Sequence, residues 1–187
     1  AGRQMDILTV SIFFRYLTLS GEKLRFPDNA YQGKYIKDIA ESVYEKYGDR
    51  WRKSSSEVYK DVCKDGQQGG DKESHIDELI VRVRQLLGEG YEAIFRVGIG
   101  SILGGIKSDL AEFGVNFEKW FLEQSLIDNG LVKNSVDKLQ ESGHIYSKDG
   151  ALWFSTTEYG DEKDRVVVRN NGIHTYFASD IAYHLEK

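Results

Sequence analysis

One segment near the start of the chain is apolar on almost every side of the helix that its spacing predicts. Within residues 4–19 the apolar side chains surround most of the helical circumference: Met5, Ile7, Leu8, Val10, Ile12, Phe13, Phe14, Tyr16, Leu17 and Leu19. A helix of this kind is buried on most sides and needs neighbours on several faces. We therefore predict a central helix over residues 4–19, ended by Ser20-Gly21, that packs in a bundle or on a sheet.

Three later stretches repeat apolar residues at helical spacing. They cover residues 33–48, 74–87 and 91–113, and Ser74 is the predicted N-terminal cap of the second. Between the first two, residues 49–73 contain serine and glycine clusters and few apolar side chains. We expect that part of the chain to be a mobile surface excursion.

The third of these stretches contains four glycines that invite comparison with a phosphate-binding loop: Gly98, Gly100, Gly104 and Gly105. Leu103 occupies the third glycine position of the GxGxxG pattern, and no Gly-Lys-Ser or Gly-Lys-Thr follows it. The sequence therefore favours small residues that allow close contact between helices.

After residue 113 the pattern changes from helices to strands mixed with helices. Residues 115–121 are strand-like, residues 125–143 read as a helix interrupted near Asn129-Gly130, and residues 144–154 form a hairpin around Asp149-Gly150. The predicted fold class is therefore α+β, with a mainly helical first part followed by strands, hairpins and helices.

The closing stretch predicts a strand, a tight turn, a second strand and a helix. Residues 166–168 form a β-branched run, Asn170-Asn171-Gly172 supplies the turn, residues 173–177 return as a strand, and Ser179 is placed to cap the helix. This order brings Tyr176 and Asp180 together where a strand gives way to a helix.

Open sheets commonly bind ligands at such junctions, so the pair is a candidate site. The alternative is a plain hairpin that leads into a capped helix, in which Asp180 only favours the helix dipole. Spacing alone does not decide between the two.

Composition argues against a large RNA-binding face and excludes a membrane span. The net charge of −5 is opposite to the basic surface of a typical nucleic-acid-binding domain, and no apolar run approaches the ~18 residues of a membrane span. The single cysteine, Cys63, excludes an internal disulfide and a cysteine-based metal site and fits a reducing cytoplasm. The acidic residues after the hairpin, Glu158, Asp161, Glu162 and Asp164, lack calcium-loop spacing and predict a solvated connector.

Several strings of the sequence resemble one enzyme family in the order in which that family carries them. They are residues 1–6, 26–36, 106–115 and 150–169, continuing into residues 175–184, which read Thr-Tyr-Phe-Ala-Ser-Asp-Ile-Ala-Tyr-His. Together they resemble arginyl-tRNA synthetase of the bacterial type across nearly the whole chain.

The sequence departs from the family pattern at a few positions. Ala30 stands where the family usually has glycine. Glu118 and Leu122 replace the aspartate and the serine of a family motif close to Phe-Asp-x-Trp-Phe-Ser-Glu, whereas Glu123 is kept.

The resemblance implies a class I aminoacyl-tRNA ligase that activates arginine with ATP and Mg²⁺ and transfers it to tRNA(Arg). The two ATP signatures of that class, His-x-Gly-His and Lys-Met-Ser-Lys-Ser, do not occur in this sequence. We therefore interpret the chain as the internal segment between them, a partial Rossmann-type catalytic domain with its connecting insertion. Alone it is expected to be inactive, with no catalytic residue and no bound cofactor or metal.

On this interpretation the chain has three parts. Residues 1–20 belong to the nucleotide-binding fold, residues 21–165 form the connecting insertion, and residues 166–187 return to the catalytic sheet and carry the arginine pocket. The expected partners are L-arginine, ATP and tRNA(Arg) in the cytoplasm, with no membrane. We expect a monomeric parent enzyme, and self-association of the isolated piece, because a partial sheet leaves an unpaired edge.

The resemblance also assigns the candidate site residues. Asp180 is the partner of the substrate guanidinium, which pairs best with a carboxylate in fork geometry. Tyr176 lines the arginine pocket, His184 faces it from one helical turn further on, and Gln4 lies near its entrance. Two other classes stay open: a helical binding module, and a synthetase-like paralogue without catalysis.

Overall fold

The structure is a computed structural model that describes residues 2–187. The chain divides into two units, Ala1–Asn116 and Phe117–Lys187. The first unit contains helices α1 Arg3–Leu19, α2 Lys34–Tyr47, α3 Ser55–Val58, α4 Lys72–Leu87 and α5 Glu89–Glu112, with a 3-10 turn at Gly66–Gln68. The second contains α6 Gln124–Asp128, α7 Leu131–Glu141, strands β1 Ile145–Lys148, β2 Ala151–Phe154 and β3 Arg165–Val168, a 3-10 turn at Thr156–Tyr159, and α8 Tyr176–Glu186.

The predicted class is confirmed, because the described residues form helices first and a mixture of helices and strands afterwards. The long predicted helices are present as α1, α2, α4 and α5. The interrupted helix is also present, as α6 and α7 with Gly130 between them at a φ of 70°. In the described part of the chain, no helix is long and apolar enough to cross a membrane.

Helix α1 lies at the centre of the first unit, in contact with α2, α4 and α5. Its side chains Val10, Ile12, Phe13 and Leu17 are fully buried. The buried Tyr16 donates its hydroxyl to the Gly48 carbonyl and accepts the Trp51 N–H at 3.0 Å. Complete burial of a large apolar side chain contributes about 1.5–3 kcal/mol, so burial on several sides holds this unit together.

A buried polar contact fixes α1 against both α4 and α5. The carboxylate of Asp6, 8% exposed, accepts the Tyr91 hydroxyl at 2.8 Å and also pairs with the Arg84 guanidinium. Burial, together with the neighbouring Asp6 carboxylate, raises the pKa of the Tyr91 phenol. Because Arg84 is on α4 and Tyr91 is on α5, one carboxylate sets the position of α1 along both helices.

A single residue joins α4 to α5. Gly88 ends α4, donates its N–H to the Arg84 carbonyl at 3.0 Å, and precedes α5 directly. Its φ is 52°, in the left-handed region that glycine adopts without a steric penalty. The two helices therefore change direction within one residue.

The stretch 49–73 lies mostly at the surface, as predicted, and it contains α3 and the 3-10 turn at Gly66–Gln68. Asp65, 1% exposed, accepts the backbone N–H of Asp28 at 2.9 Å. His75 is also buried, and its Nδ1 lies 2.6 Å from the Cys63 carbonyl oxygen. These buried polar contacts hold the loop, and the scarcity of apolar residues in the sequence gave no sign of them.

Helix α4 begins one turn earlier than predicted. Its N-cap is Asp71, whose carboxylate accepts the Ser74 backbone N–H at 2.9 Å and the Ser74 hydroxyl at 2.8 Å. These hydrogen bonds lower the pKa of Asp71. Ser74 therefore lies in the first turn of the helix and is not its cap.

The predicted strand over residues 115–121 is wrong, because these residues pair with no strand in the described part of the chain. Phe117 and Trp120 are 56% and 41% exposed, and their rings meet edge to face at 5.5 Å. Aromatic residues favour strands only where a neighbouring strand supplies hydrogen bonds and a packing surface. Here neither is provided.

The second unit is built on a three-stranded antiparallel sheet in the order β1-β2-β3. The hairpin between β1 and β2 confirms the prediction: Asp149 and Gly150 both have positive φ, 52° and 76°, and Lys148 pairs with Ala151. Strand β3, at the start of the segment predicted to return to the catalytic sheet, runs antiparallel to β2 of the hairpin. The connector causes this by folding back, with the Thr156 hydroxyl donating to the Lys163 carbonyl at 2.7 Å.

The glycines of α5 differ in their surroundings. A Cβ added at Gly98 would lie 2.6 Å from Cδ1 of Ile12 on α1, whereas at Gly100, Gly104 or Gly105 it would meet nothing within 4 Å. Close helix packing therefore explains Gly98 and does not explain the other three.

This difference predicts opposite effects for two alanine substitutions in one helix. Gly104→Ala should raise the free energy of unfolding by about 0.5–1 kcal/mol, because alanine loses less backbone entropy in a helix. Gly98→Ala should lower it by about 1 kcal/mol, because overpacking costs more than the helix gains. Urea denaturation of both variants measures the two changes, and equal stabilisation by both would contradict the packing of Gly98 on α1.

Candidate functional site

The candidate site lies on α8, and the chain reaches this helix from β3 through a tight turn. Arg169 donates its N–H to the Ile173 carbonyl at 2.9 Å, and Gly172 has a φ of 78°. The predicted turn is therefore confirmed. The second strand predicted over residues 173–177 is wrong, since only an isolated bridge between Val168 and His174 forms.

Helix α8 also begins earlier than predicted. Its N-cap is Thr175, and Ser179, the predicted cap, lies inside the helix and is 7% exposed. Thr175 donates its N–H to the Val167 carbonyl at 3.0 Å and its hydroxyl to the Val166 carbonyl at 2.7 Å. Because Thr175 bonds to β3 in this way, the chain pairs with β3 at only one bridge, at His174, and then begins the helix at Tyr176.

One face of α8 is buried against its own unit. Ala178 and Ala182 are fully buried and Ser179 nearly so, and the helix contacts α7 and β3. Phe177 is partly buried, with its ring 6.1 Å from that of Phe154 on β2. Small side chains on this face let the helix lie close to the sheet, which decides which residues point outward.

The opposite face carries three of the four predicted site residues. Tyr176, Asp180 and His184 follow one another at intervals of four residues, so they occupy the same side of the helix. All three are exposed, and Tyr176 is 79% exposed. The structure therefore brings the phenol, the carboxylate and the imidazole together on an open face.

The chemistry of this face suits a cationic ligand. Asp180 provides one exposed carboxylate in the second turn of α8. A carboxylate can accept two parallel N–H groups of a guanidinium, and a phenol can cover its plane or accept a further hydrogen bond.

Aromatic side chains that sequence reasoning did not connect extend this region. The ring of Tyr183 lies 4.9 Å from that of Phe121 and 5.8 Å from the ring of His184. Phe121 is far from α8 in the sequence and lies in the stretch predicted to be a strand, so no spacing signal could have placed it there.

Gln4, the fourth predicted site residue, belongs to the other unit. It lies on α1, is exposed, and its Oε1 accepts a hydrogen bond from the Tyr31 hydroxyl. The structure thus groups Tyr176, Asp180 and His184 on one helix, whereas the place of Gln4 near a pocket entrance stays a prediction.

The acidic connector has partners within its own unit. Asp161 accepts two hydrogen bonds from Arg165, at 2.6 Å to Nε and 2.7 Å to Nη2. Asp164 accepts the Tyr146 hydroxyl at 2.7 Å and the Thr157 hydroxyl at 2.7 Å. Within residues 2–187, no group of three or more His, Cys, Asp or Glu side chains is arranged to hold a metal ion.

Comparison with known proteins gives relatives that are named arginine–tRNA ligases. The chain is 56% identical over 194 residues to a protein named arginine–tRNA ligase from Hydrogenovibrio crunogenus, and 51% identical over 188 residues to one from Thioalkalivibrio sulfidiphilus. A third, from Acinetobacter baumannii, is 50% identical over 200 residues. Each alignment covers 100% of this chain and 32–33% of the relative, so the chain spans about a third of the length of these curated relatives.

The fold has a counterpart among solved structures. A crystal structure from Campylobacter jejuni, described as an arginyl tRNA synthetase, superposes with a TM-score of 0.60 and 24% sequence identity, covering 100% of this chain and 34% of that one. At this identity the likeness concerns the fold. No family model matches the chain.

The pairing of Asp161 with Arg165 predicts that the Asp161 carboxyl titrates at a lower pH than an unpaired aspartate. The Arg165 guanidinium lowers the pKa of the Asp161 carboxyl from about 3.8 to about 2, so the stability that this pair contributes is present above pH 4 and is lost as the pH falls toward 2. In Arg165→Gln the pKa of Asp161 should return toward 3.8. Carboxyl ¹³C NMR measures this shift with Arg169→Gln as control, and an unchanged pKa in Arg165→Gln would contradict the assigned partner.

Proposed function

Since this chain is homologous over its whole length to arginine–tRNA ligases, we propose that it is a segment of the catalytic region of such an enzyme. The segment lies between the two ATP signatures of class I synthetases, neither of which occurs in its sequence. The parent enzyme activates L-arginine with ATP, as its Mg²⁺ complex, and transfers the activated arginine to tRNA(Arg) in the cytoplasm.

The observation that supports the placement of the arginine site is the exposed face of α8. Asp180 accepts the substrate guanidinium in fork geometry, Tyr176 lines the pocket one turn before it, and His184 faces the same pocket one turn after it. Gln4 contributes at the entrance. Lysine is discriminated against because its ammonium cannot form both hydrogen bonds of the fork, a loss on the order of 1–3 kcal/mol for one unsatisfied group.

The open character of this face agrees with a pocket that is completed by other parts of the enzyme. Tyr176 is 79% exposed, and the chain spans only about a third of its curated relatives. We propose that residues 1–20 and 166–187 belong to the Rossmann-type nucleotide-binding fold of the parent, and that residues 21–165 form its connecting insertion. The catalytic groups that act on ATP lie in the rest of the enzyme.

The parent enzyme is proposed to be monomeric, whereas the isolated segment should self-associate. Strand β1 forms one edge of the sheet and has a strand partner on one side only, whereas the outer side of β3 is already bonded to Ile173 and Thr175. An edge strand offers free N–H and C=O groups to another chain, which supports self-association of the segment.

The arginine assignment predicts a selective kinetic change. In the intact enzyme, Asp180→Asn should raise the KM for arginine on the order of 10- to 100-fold and leave the KM for ATP unchanged, because the charge-assisted pair with the guanidinium is lost. Glu186→Gln, an exposed carboxylate on the same helix, is the matched control and should change neither constant. Equal, small effects of Asp180→Asn on both substrates would refute the assignment.

The absence of both ATP signatures from the sequence predicts that the 187-residue chain alone shows no arginine-dependent exchange between ATP and pyrophosphate. The intact enzyme, assayed under the same conditions, supplies the positive control. Robust exchange by the chain alone would mean that it holds a complete activation site, contrary to the proposal.

A further inference from the structure

We propose that Thr175 is a positioning residue for arginine recognition, one that sets the place of Tyr176 and Asp180 by attaching the start of α8 to β3. This inference rests on the proposed function. Thr175 itself does not contact the substrate, because its side chain is engaged with the strand.

The evidence begins with the hydrogen bonds of this one residue. The Thr175 hydroxyl donates to the Val166 carbonyl at 2.7 Å, with the Val167 carbonyl also within reach at 3.4 Å. The Thr175 N–H donates to the Val167 carbonyl at 3.0 Å. Thr175 is therefore attached to β3 through both its backbone and its side chain.

The direction of the hydroxyl separates this role from ordinary helix capping. A threonine at an N-cap commonly accepts an N–H of the first helical turn, which stabilises the helix itself. Thr175 makes no side-chain cap hydrogen bond to α8. Its hydroxyl instead restrains the place of the helix start relative to the strand.

The strand that receives these bonds is firmly held. Val167 is fully buried, and β3 is paired with β2. On the helix side, Ala178 and Ala182 are fully buried as well. Thr175 thus connects a strand and a helix that are each held by buried residues. The position of the exposed face of α8 therefore depends on this connection.

Precision matters here because the proposed ligand is recognised by geometry. Fork pairing of a carboxylate with a guanidinium requires two parallel N–H···O contacts, and small displacements of the carboxylate weaken both. Tyr176 directly follows Thr175, and Asp180 lies one turn after Tyr176. A shift of the helix start would therefore move both residues relative to the ligand.

The test uses the intact enzyme with three variants. Thr175→Val keeps the branched shape and removes the hydroxyl, and it should raise the KM for arginine about tenfold while kcat and the KM for ATP stay within twofold. Thr175→Ser keeps the hydroxyl and should restore the wild-type KM for arginine. Thr156→Val, which removes a matched 2.7 Å hydrogen bond from a hydroxyl to the Lys163 carbonyl, should lower Tm without changing the KM for arginine.

The variants together with Asp180→Asn separate the possible outcomes. If Asp180→Asn raises the KM for arginine and Thr175→Val does not, the positioning role is overturned and the proposed function stands. If neither variant changes it, both proposals are overturned. An equal rise in Thr156→Val would show general destabilisation and would also overturn the positioning role.

A second measurement does not depend on catalysis, and it compares amides of α8 with buried amides of α1, which should exchange at unchanged rates as long as Thr175→Val folds. Amide hydrogen exchange in the 187-residue chain should speed up at Ala178 and Ser179 in Thr175→Val and remain unchanged there in Thr156→Val. Both of these amides donate to the Thr175 carbonyl in the first turn of α8, at 3.1 and 3.3 Å. Unchanged exchange at Ala178 and Ser179 in Thr175→Val would overturn the proposed attachment.

Discussion

The burial of α1 from several sides is the constraint on which the first unit depends. Helices α2, α4 and α5 all contact α1, and each of them turns its own apolar face toward it. Apolar burial has no direction and does not by itself fix how far one helix slides along another. The carboxylate of Asp6 supplies that information, because it must reach Tyr91 and Arg84 at the same time.

The second unit differs from the first in that its last helix, α8, is short and has an exposed face with polar side chains. Its own core is small, formed around residues such as Val136, Ile145 and Val167. The most deeply buried residues of α8 are Ala178, Ser179 and Ala182, whose small side chains let the helix lie close to β3 and α7. The proposed recognition residues are then exposed because the helix has only one face that can be buried.

The sequence was sufficient to predict the helices whose position is decided by the burial of apolar side chains. The all-round apolar pattern of residues 4–19 predicted α1, and one-sided stripes predicted α2, α4 and α5, because the number of buried faces can be counted from spacing. Helix starts were less certain. Asp71 and Thr175 are the N-cap residues in place of Ser74 and Ser179. Asp71 accepts hydrogen bonds from Ser74 in its own first turn, whereas Thr175 is held by hydrogen bonds to β3.

The remaining differences come from contacts between distant residues. The loop containing Asp65 is held by the backbone of Asp28, and Phe121 reaches Tyr183 without any local pattern that indicates the contact. The placement of Tyr176 beside Asp180 was predicted although the start of α8 was not, and the role of the two residues stays a prediction. A spacing of four residues keeps Tyr176 and Asp180 on one side of a helix, so an error in the helix start did not separate them.

The single-residue connection at Gly88 between α4 and α5 limits where related chains can carry insertions. Each residue inserted into a helix rotates all later residues of that helix by about 100°, because a turn takes 3.6 residues. With only Gly88 between α4 and α5, one inserted residue would carry Ile94 and Gly98 away from α1. The relatives that align over 194 to 200 positions are therefore expected to place their insertions in surface loops and to leave this connection intact.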